Sequence, residues 1–586
     1  MVTIGLAESL AIASLILETE EVIERVVEAV KRWRAYGKNA EALCLKFTHE
    51  QRRFKALQNF LTKTGKVVAG RCLYELMRAE QQHDVEDLLL HVFELVSKFE
   101  DLSKSYELGR KDQEQRDNVE LPVSTLDTVS LENSLSALRE RRRKRQASLG
   151  WYQKTKWTLK GQSNALTLVG RLREWLCLIT EEIKLSIWEI SSNDEGPAAA
   201  AQFPALEADE DVDALGLRQT FRVRNLAIYL QSGSTETVAP FQDNLWLAGA
   251  LQAADNFGTE RRKKGTWITK SDPGLKILVE FKSFENNDAP PDAPTGASPV
   301  ERHMKNLCAF LAAAKDESFR LPLAKGLFKD DAKNEYGIVF PIESCGAQDL
   351  DSMFTLDTFF QSGKSREVAQ FGSIVLERRL HLALSIATAI AKYHSVGWYH
   401  EGIESRNVCL VRDHPPNEIF KRPVLLGFTK SRTAKGESVG IADKTSMIYQ
   451  HPDRARSHAA VRFTASHDLY SLGVLLLEIG RWKSASDIVT ERLARESIRF
   501  SEAEPRKVSK KLLEYAETGL ATFIGTRYQE VVVMLLSADP ADKKGLSSQN
   551  RLLKVVEMLS DMSAAMSSSQ ESAATSPLQT TQGQAN

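Results

Sequence analysis

An ordered series of segments between residues 376 and 479 is the feature that most constrains how this chain folds. An apolar stretch at helical spacing over 376–394 leads into a polar loop, His400 to Asn407. A short apolar strand then ends at Phe428, and a strongly apolar helix follows over 466–479. Apolar residues at helical spacing predict buried helices, so this order predicts a mostly helical lobe built around the loop.

These segments resemble the catalytic loop and the metal-binding motif of protein kinases. His400 and Asn407 match the His and Asn of the kinase loop, whereas Gly402 stands where the family has its catalytic Asp. Gly427 stands at the position of the metal-binding Asp, and Phe428 is retained after it. A glycine has no side chain to accept a proton or bind Mg²⁺, so the resemblance implies a degenerate site with no intact catalytic residue. Three further positions match structural motifs of the kinase helical lobe: Pro452, Asp468 and Gly473.

A predicted strand upstream extends the resemblance to the kinase small lobe. Apolar residues alternate over 276–282, and Lys282 then matches the phosphate-binding lysine of the family. A helix predicted from Pro299 to Ala314 offers Glu301 as the ion-pair partner of Lys282. Lys282, Glu301 and Asn407 are thus candidate nucleotide-binding residues. Because no G-x-G-x-x-G motif precedes the strand, we expect no certain cofactor, and binding of ATP with Mg²⁺ remains open.

The N-terminal region, residues 1–190, predicts an all-α antiparallel bundle. Helical periodicity recurs with no proline before Pro122, and further helices are predicted over about 71–108, 128–146 and 163–190. The segments Gly5–Ala11 and Lys154–Lys160 resemble the fungal HeLo domain of prion-controlled incompatibility proteins. That resemblance implies a helical bundle whose first helix takes part in membrane insertion. For Val2–Leu17, a buried helix and a helix that enters a membrane after a conformational change both remain open.

A dense basic run is the candidate lipid-binding segment, because each basic residue near an anionic surface contributes about 1 kcal/mol. A solvated helix end and a nuclear-localisation or nucleic-acid patch are the alternatives. The formal net charge of −1 gives no general bias toward nucleic acid, and we expect no nucleic-acid partner. The basic candidates are Arg141, Arg142, Arg143, Lys144 and Arg145.

The expected fold is multidomain: a HeLo-like bundle followed by an α+β bilobal protein-kinase-like domain. Residues 191–215 are acidic and predict a flexible linker that is able to pair electrostatically with the basic run. The kinase-like domain is expected over 216–562, with its small lobe ending near 343, and residues 563–586 are expected to be disordered. The six scattered cysteines predict neither a disulfide framework nor a zinc site, and no metal site is expected.

These features predict a pseudokinase that regulates a helical effector, with no catalysis expected. The arrangement resembles the mixed lineage kinase domain-like proteins of animal necroptosis. That resemblance implies a cytoplasmic protein recruited to the plasma membrane, with an upstream activator, an anionic membrane surface and its own copies as partners. The HeLo resemblance implies a role in fungal regulated cell death or incompatibility. The alternatives are an atypical active Ser/Thr kinase with Glu401 or Glu404 as base, and an interaction scaffold.

Overall fold

The structure is a computed structural model, and the chain divides into two compact units, Met1–Asn225 and Leu226–Asn586. No helix among the described residues is long and apolar enough to cross a membrane. The structure describes residues 2–32, 38–68, 70–107, 162–190, 203–232, 245–269, 274–284, 299–361, 374–415, 418–433, 444–455, 461–538 and 548–574.

Long helices form the N-terminal unit. α1 packs against α2 and α4, and α5 packs against the same two helices, which closes a bundle around an apolar core. Ile12 and Ile16 of α1 are buried in this core, so that part of the first helix is a core helix. The predicted helix over 128–146 lies outside the described residues. The helices are α1 (Val2–Arg32), α2 (Lys38–Thr62), α3 (Leu73–Leu76), α4 (Ala79–Glu107) and α5 (Gln162–Ile190).

The segment after α5 differs from the predicted flexible linker. Residues 203–207 are helical, and two further helices follow, α6 (Glu210–Ala214) and α7 (Arg218–Ser232). α6 packs against α2, and Phe203 and Phe221 are fully buried. The prediction failed because the apolar residues of this segment are interspersed with acidic ones. The acidic composition therefore favoured a flexible linker over a packed helix. We call residues 203–225 the strap, since they cover the bundle with apolar side chains.

Lys66, whose side chain is nearly buried, holds the strap through ion pairs with two partly exposed carboxylates. Its Nζ lies 3.1 Å from Asp209 Oδ1 and also binds Asp211, while Asn59 Nδ2 donates to Asp211 Oδ2 at 3.0 Å. Phe221 of the strap lies 6.3 Å from Phe60 of α2, measured between ring centroids. The acidic run therefore pairs with Lys66, whereas the basic run 141–145 proposed as its partner lies outside the described residues.

A five-stranded antiparallel sheet begins the C-terminal unit, with strand order β1-β2-β3-β5-β4. α8 lies between β3 and β4 in sequence and packs against β4 and β5. One face of the sheet is an apolar core around Trp267, Val279 and Val339. The elements are β1 (Ala250–Phe257), β2 (Thr259–Ile268), β3 (Leu275–Ser283), α8 (Pro299–Ala313), β4 (Gly326–Asp330) and β5 (Glu335–Pro341).

Helices and very short strands make up the rest of this unit. α10 packs against α17, and α12 packs against α16, with nearly every residue of α12 buried. The elements are β6 (Met353–Thr355), α9 (Leu356–Gln361), α10 (Leu376–Ser395), β7 (Trp398–Tyr399), β8 (Val408–Val411), β9 (Val424–Leu425), β10 (Arg432–Thr433), α11 (Pro452–Ala455), α12 (Ala465–Arg481), α13 (Ala485–Ala494), α14 (Pro505–Gly519), α15 (Ala521–Ile524), α16 (Thr526–Leu536) and α17 (Ser548–Ala574).

The end of the chain also differs from its prediction. Disorder was expected from residue 563, but α17 continues as a helix to Ala574. Leu552, Val555 and Leu559 are buried, and they tie the first half of this helix to its neighbours. A helix fixed in this way propagates at low cost into Ser- and Ala-containing sequence, which is why composition alone misled the prediction.

Candidate functional site

Asp468 positions the loop that carries the candidate catalytic residues. Its carboxylate lies fully buried near the start of α12 and accepts hydrogen bonds from His400 N at 2.7 Å and Glu401 N at 3.0 Å. His394 Nε2 donates to the same carboxylate at 3.0 Å. Burial alone would raise the pKa of Asp468, but these hydrogen bonds hold it below its usual value. Glu401 has φ +58°, a strained backbone conformation that the two N–H bonds to Asp468 stabilise.

His400 is a packing residue in this loop. Its ring lies 4.7 Å from Phe428 and 5.9 Å from Tyr393 between centroids, and its Nδ1 accepts from Gly402 N at 3.2 Å. Complete burial lowers the pKa of His400 to about 4, so the ring is neutral at physiological pH. His400 thus supports Phe428 and the loop rather than moving protons.

Asn407 is fully engaged by the chain itself. Its Nδ2 donates to Gly402 O at 2.7 Å and to Glu404 Oε1 at 3.2 Å. Its Oδ1 accepts a short hydrogen bond from Arg262 Nη2. The amide oxygen that would bind a metal ion in a kinase-like site therefore faces a guanidinium group.

The two glycines of the site have different backbones. Gly427 has φ +91°, and a Cβ placed there would collide with the side chain of Asn407. A Cβ on Gly402 would lie 3.1 Å from Gly427 O and 3.3 Å from Asn407 Nδ2. The closely packed Asn407 amide therefore fills the space in which a carboxylate at 427 would begin.

A buried ion pair between Arg262 and Glu280 is the functional feature that sequence reasoning missed. The two residues are opposite each other on β2 and β3, each is 2% exposed, and Arg262 Nε lies 3.0 Å from Glu280 Oε1. Glu280 also accepts from Gly427 N at 2.5 Å and from Phe428 N at 2.8 Å. Arg262 Nη1 donates to Arg406 O at 3.0 Å. The available signal was a glutamate in the middle of an apolar strand, on the same face as Lys282.

Lys282 also contacts the helical part of the unit. Its Nζ donates to Thr429 O at 2.9 Å, and the carboxylate whose charge acts on it is Glu401. Burial lowers the pKa of Lys282 to about 8. Glu301 pairs with Lys305, with 2.6 Å between Oε1 and Nζ. The Lys282–Glu301 pair stays a prediction.

The two glutamates considered as alternative bases are held by cations. Glu401 Oε1 lies 3.0 Å from Arg454 Nη1 and 3.6 Å from Arg432 Nη2. Glu404 Oε2 lies 3.0 Å from Arg406 Nη2. Both carboxylates are therefore engaged by arginine side chains of the chain itself.

His451, Asp453 and His467 form a cluster whose composition would suit a metal ion. Thr464 N donates to His467 Nδ1 at 2.8 Å, so the proton of the neutral ring lies on Nε2. That Nε2 faces Asp453 Oδ1 at 3.2 Å and donates to it. A metal ion on Nε2 would move the ring proton to Nδ1, where it would face the N–H of Thr464. The cluster therefore works as a cap for α12.

The remaining predicted residues divide into two groups. Pro452 begins α11, and Gly473 lies in α12, where an added Cβ would come within 2.9 Å of Leu535 Cβ on α16. The close approach of the two helices explains that glycine. The lipid-binding candidates lie outside the described residues: Arg141, Arg142, Arg143, Lys144 and Arg145.

A comparison with family models identifies the class of the N-terminal region. Residues 21–180 match the HeLo family, which is described as prion-inhibition and propagation. The helical N-terminal region of this chain is therefore a HeLo-domain region. The segment Lys154–Lys160 lies within the matched residues, whereas Gly5–Ala11 precedes them. A comparison with curated proteins found no match to the chain.

Proposed function

We propose that the C-terminal unit is a kinase-like module without catalytic activity that regulates the N-terminal HeLo effector. The antiparallel sheet with one helix after β3, followed by a helical part, supports this proposal. So does Asp468, whose carboxylate holds the backbone of the loop at His400 and Glu401. Lys282 on β3 reaches the segment just after Phe428, as the lysine of a kinase-like cleft would.

The observation that carries the lack of catalysis is the bond from Arg262 to Asn407, beside Gly402 and Gly427. A positioned general base contributes about 10²–10⁴ in rate, and position 402 offers none. Metal ions neutralise the developing charge in phosphoryl transfer, and here a cation already occupies the Asn407 oxygen. A kinase-like fold that lacks the residues for catalysis is suited to a binding or switching function.

The HeLo match supports the effector half of the proposal. In this proposal the effector acts in cell death or incompatibility. In this proposal an upstream protein acts on the kinase-like module, and the HeLo region then assembles with other copies at an anionic membrane surface. The protein acts from the cytoplasm at the plasma membrane. The basic residues Arg141 to Arg145 provide the charge for that surface.

Phosphoryl transfer tests the first half of the proposal. Purified full-length protein and the variant Lys282→Met are incubated with radiolabelled ATP, Mg²⁺ and a generic protein substrate. Both should give the same background, because neither contains a base or a metal-binding carboxylate at positions 402 and 427. Transfer by the wild-type protein that disappears in Lys282→Met would establish an atypical kinase instead.

Vesicle leakage tests the second half. Residues 1–232 are added to dye-loaded vesicles that contain anionic phospholipid, and neutral vesicles serve as the control. The fragment should release dye from the anionic vesicles, and the full chain should release less. A fragment in which Arg141, Arg143 and Arg145 are replaced by Glu should lose the effect. Equal leakage from both kinds of vesicle, or none, contradicts an effector role at anionic membranes.

A further inference from the structure

We propose that the Arg262–Glu280 pair is an internal ligand, which occupies the kinase-like cleft, clamps the sheet to the helical part and excludes adenine nucleotides. The inference deepens the proposed function, on which it rests for the nature of the cleft. It concerns what fills that cleft and holds it closed, and not whether the cleft catalyses phosphoryl transfer.

Position is the first argument. Side chains alternate along a strand, so Glu280 and Lys282 share one face of β3, about 7 Å apart along the strand. Arg262 lies on the same face of β2, directly opposite Glu280. A nucleotide bound between Lys282 and Asn407 would have to pass through the volume that these two side chains fill.

Satisfied hydrogen bonding is the second argument. Glu280 accepts the N–H groups of Gly427 and Phe428, and Arg262 donates to Arg406 O and to Asn407 Oδ1. These are backbone and amide groups that a phosphate or its metal ion would need. The chain supplies one anion and one cation of its own, and both are almost completely removed from water.

Displacement is the third argument. A nucleotide would have to separate two buried opposite charges and leave at least one of them without its partner, which is strongly unfavourable in a protein interior. The same bonds join β2 and β3 to residues 406–428, so opening the cleft breaks the connection between sheet and helical part. The state of the module is therefore set by contacts with other proteins and not by the nucleotide concentration.

The experiment compares three full-length proteins. One is wild type, one carries Arg262→Ala with Glu280→Ala, and one carries Arg262→Met with Glu280→Met. Both double variants remove the charges together, but the methionines keep the cleft filled with unbranched side chains. Thermal shift with ATP and with ADP, each with and without Mg²⁺, measures binding. Hydrogen exchange over residues 425–431 measures the clamp.

We expect no nucleotide-dependent shift in Tm for the wild type or the methionine variant. The alanine variant should show such a shift, because its cleft is empty. Amide exchange at Gly427 and Phe428 should be about ten-fold faster in both variants, which corresponds to the loss of one hydrogen-bond acceptor. If the alanine variant does not fold, judged by circular dichroism, exchange in the methionine variant decides the clamp.

Nucleotide binding by the wild type overturns the inference. A folded alanine variant that binds no nucleotide also overturns the inference. So does an amide exchange rate at Gly427 and Phe428 that is the same in both variants as in the wild type. Nucleotide binding by the wild type without phosphoryl transfer would contradict this inference but not the proposed function. An inert HeLo fragment in the vesicle test would remove the proposed function and leave the clamp intact.

Discussion

Gly402 and Gly427 stand at the two carboxylate positions of the proposed kinase-like site, and their backbone conformations differ. Gly427 has a left-handed conformation and touches Asn407, whereas Gly402 has no positive φ. The sequence shows only that both side chains are missing. The structure adds that position 427 has no room for an acidic side chain unless Asn407 moves.

Gly427→Asp should therefore destabilise the protein more than Gly402→Asp. The left-handed backbone costs a non-glycine residue about 1–2 kcal/mol, and the collision with Asn407 adds to that cost. Gly427→Ala and Gly402→Ala separate backbone effects from charge. Thermal unfolding of the full chain measures the difference, and equal losses of Tm at the two positions would show that Asn407 moves aside freely.

The residues of the loop illustrate what a sequence can predict about this site. His400, Asn407 and Asp468 were identified from their spacing, because the loop and the helix that holds it lie close in sequence. Arg262 and Glu280 were not, because their role depends on strand register and on partners 145 and 148 residues away. A charged residue inside an apolar strand shows that something must neutralise it, but not what does.

Helix α12 contains another buried acidic residue, Glu478. It is fully buried, accepts from Tyr449 Oη and Ala485 N at 2.8 Å each, and burial raises its pKa to about 8. The nearby charge of Asp357 acts in the same direction. The folded protein thus keeps a proton on Glu478 that the unfolded chain releases near pH 4.5.

Because the folded state binds more protons between about pH 4.5 and 8, stability contributed by Glu478 falls as pH rises through that window. The slope is at most about 1.4 kcal/mol per pH unit. Glu478→Gln removes this titration and should raise Tm relative to wild type at pH 8.5, with little difference at pH 4.5. A difference in Tm that is the same at both pH values would show that Glu478 is ionised in the folded protein throughout.

The strap shows how a short element is fixed by one nearly buried lysine that pairs with two carboxylates. Lys66 is almost buried between Asp209 and Asp211, whereas Arg218 and Asp213 form an exposed pair on the same segment. Lys66→Met should lower the stability of the N-terminal unit by about 1–2 kcal/mol, since two partly exposed carboxylates lose their cation. Arg218→Met is the matched control and should change stability by less than about 0.5 kcal/mol. Chemical denaturation of residues 1–232 distinguishes the two, and equal effects would contradict a role for burial.

At the scale of the whole molecule, the boundary between the units follows packing and not composition. Acidic composition predicted a linker up to residue 215, but the first unit extends to Asn225. Strand β3 and helices α10 and α12 were predicted nearly to the residue, since each is strongly periodic. The strap and the end of α17 were not, because tertiary contacts stabilise sequence whose local preference is weak.

A fragment that ends at residue 190 should therefore behave differently from one that ends at 232. The shorter fragment lacks Phe203 and Phe221 and leaves Phe60 without its cover, which removes several kcal/mol of apolar burial. We expect a lower Tm and stronger fluorescence of a hydrophobic dye. Identical Tm values for the two fragments would show that the strap contributes nothing to the fold.

The long sequence separation between Glu280 and its backbone partners determines when, during synthesis, these hydrogen bonds can form. The sheet can complete its own ladders once residue 341 has left the ribosome, but the amides that Glu280 needs follow at 427 and 428. At 5–20 residues per second, the 87 residues from 341 to 428 take roughly four to seventeen seconds to emerge. During that interval the nascent sheet carries Arg262, Glu280 and Lys282 on a face destined for the interior. Translation arrested before residue 428 leaves a product that cannot finish folding.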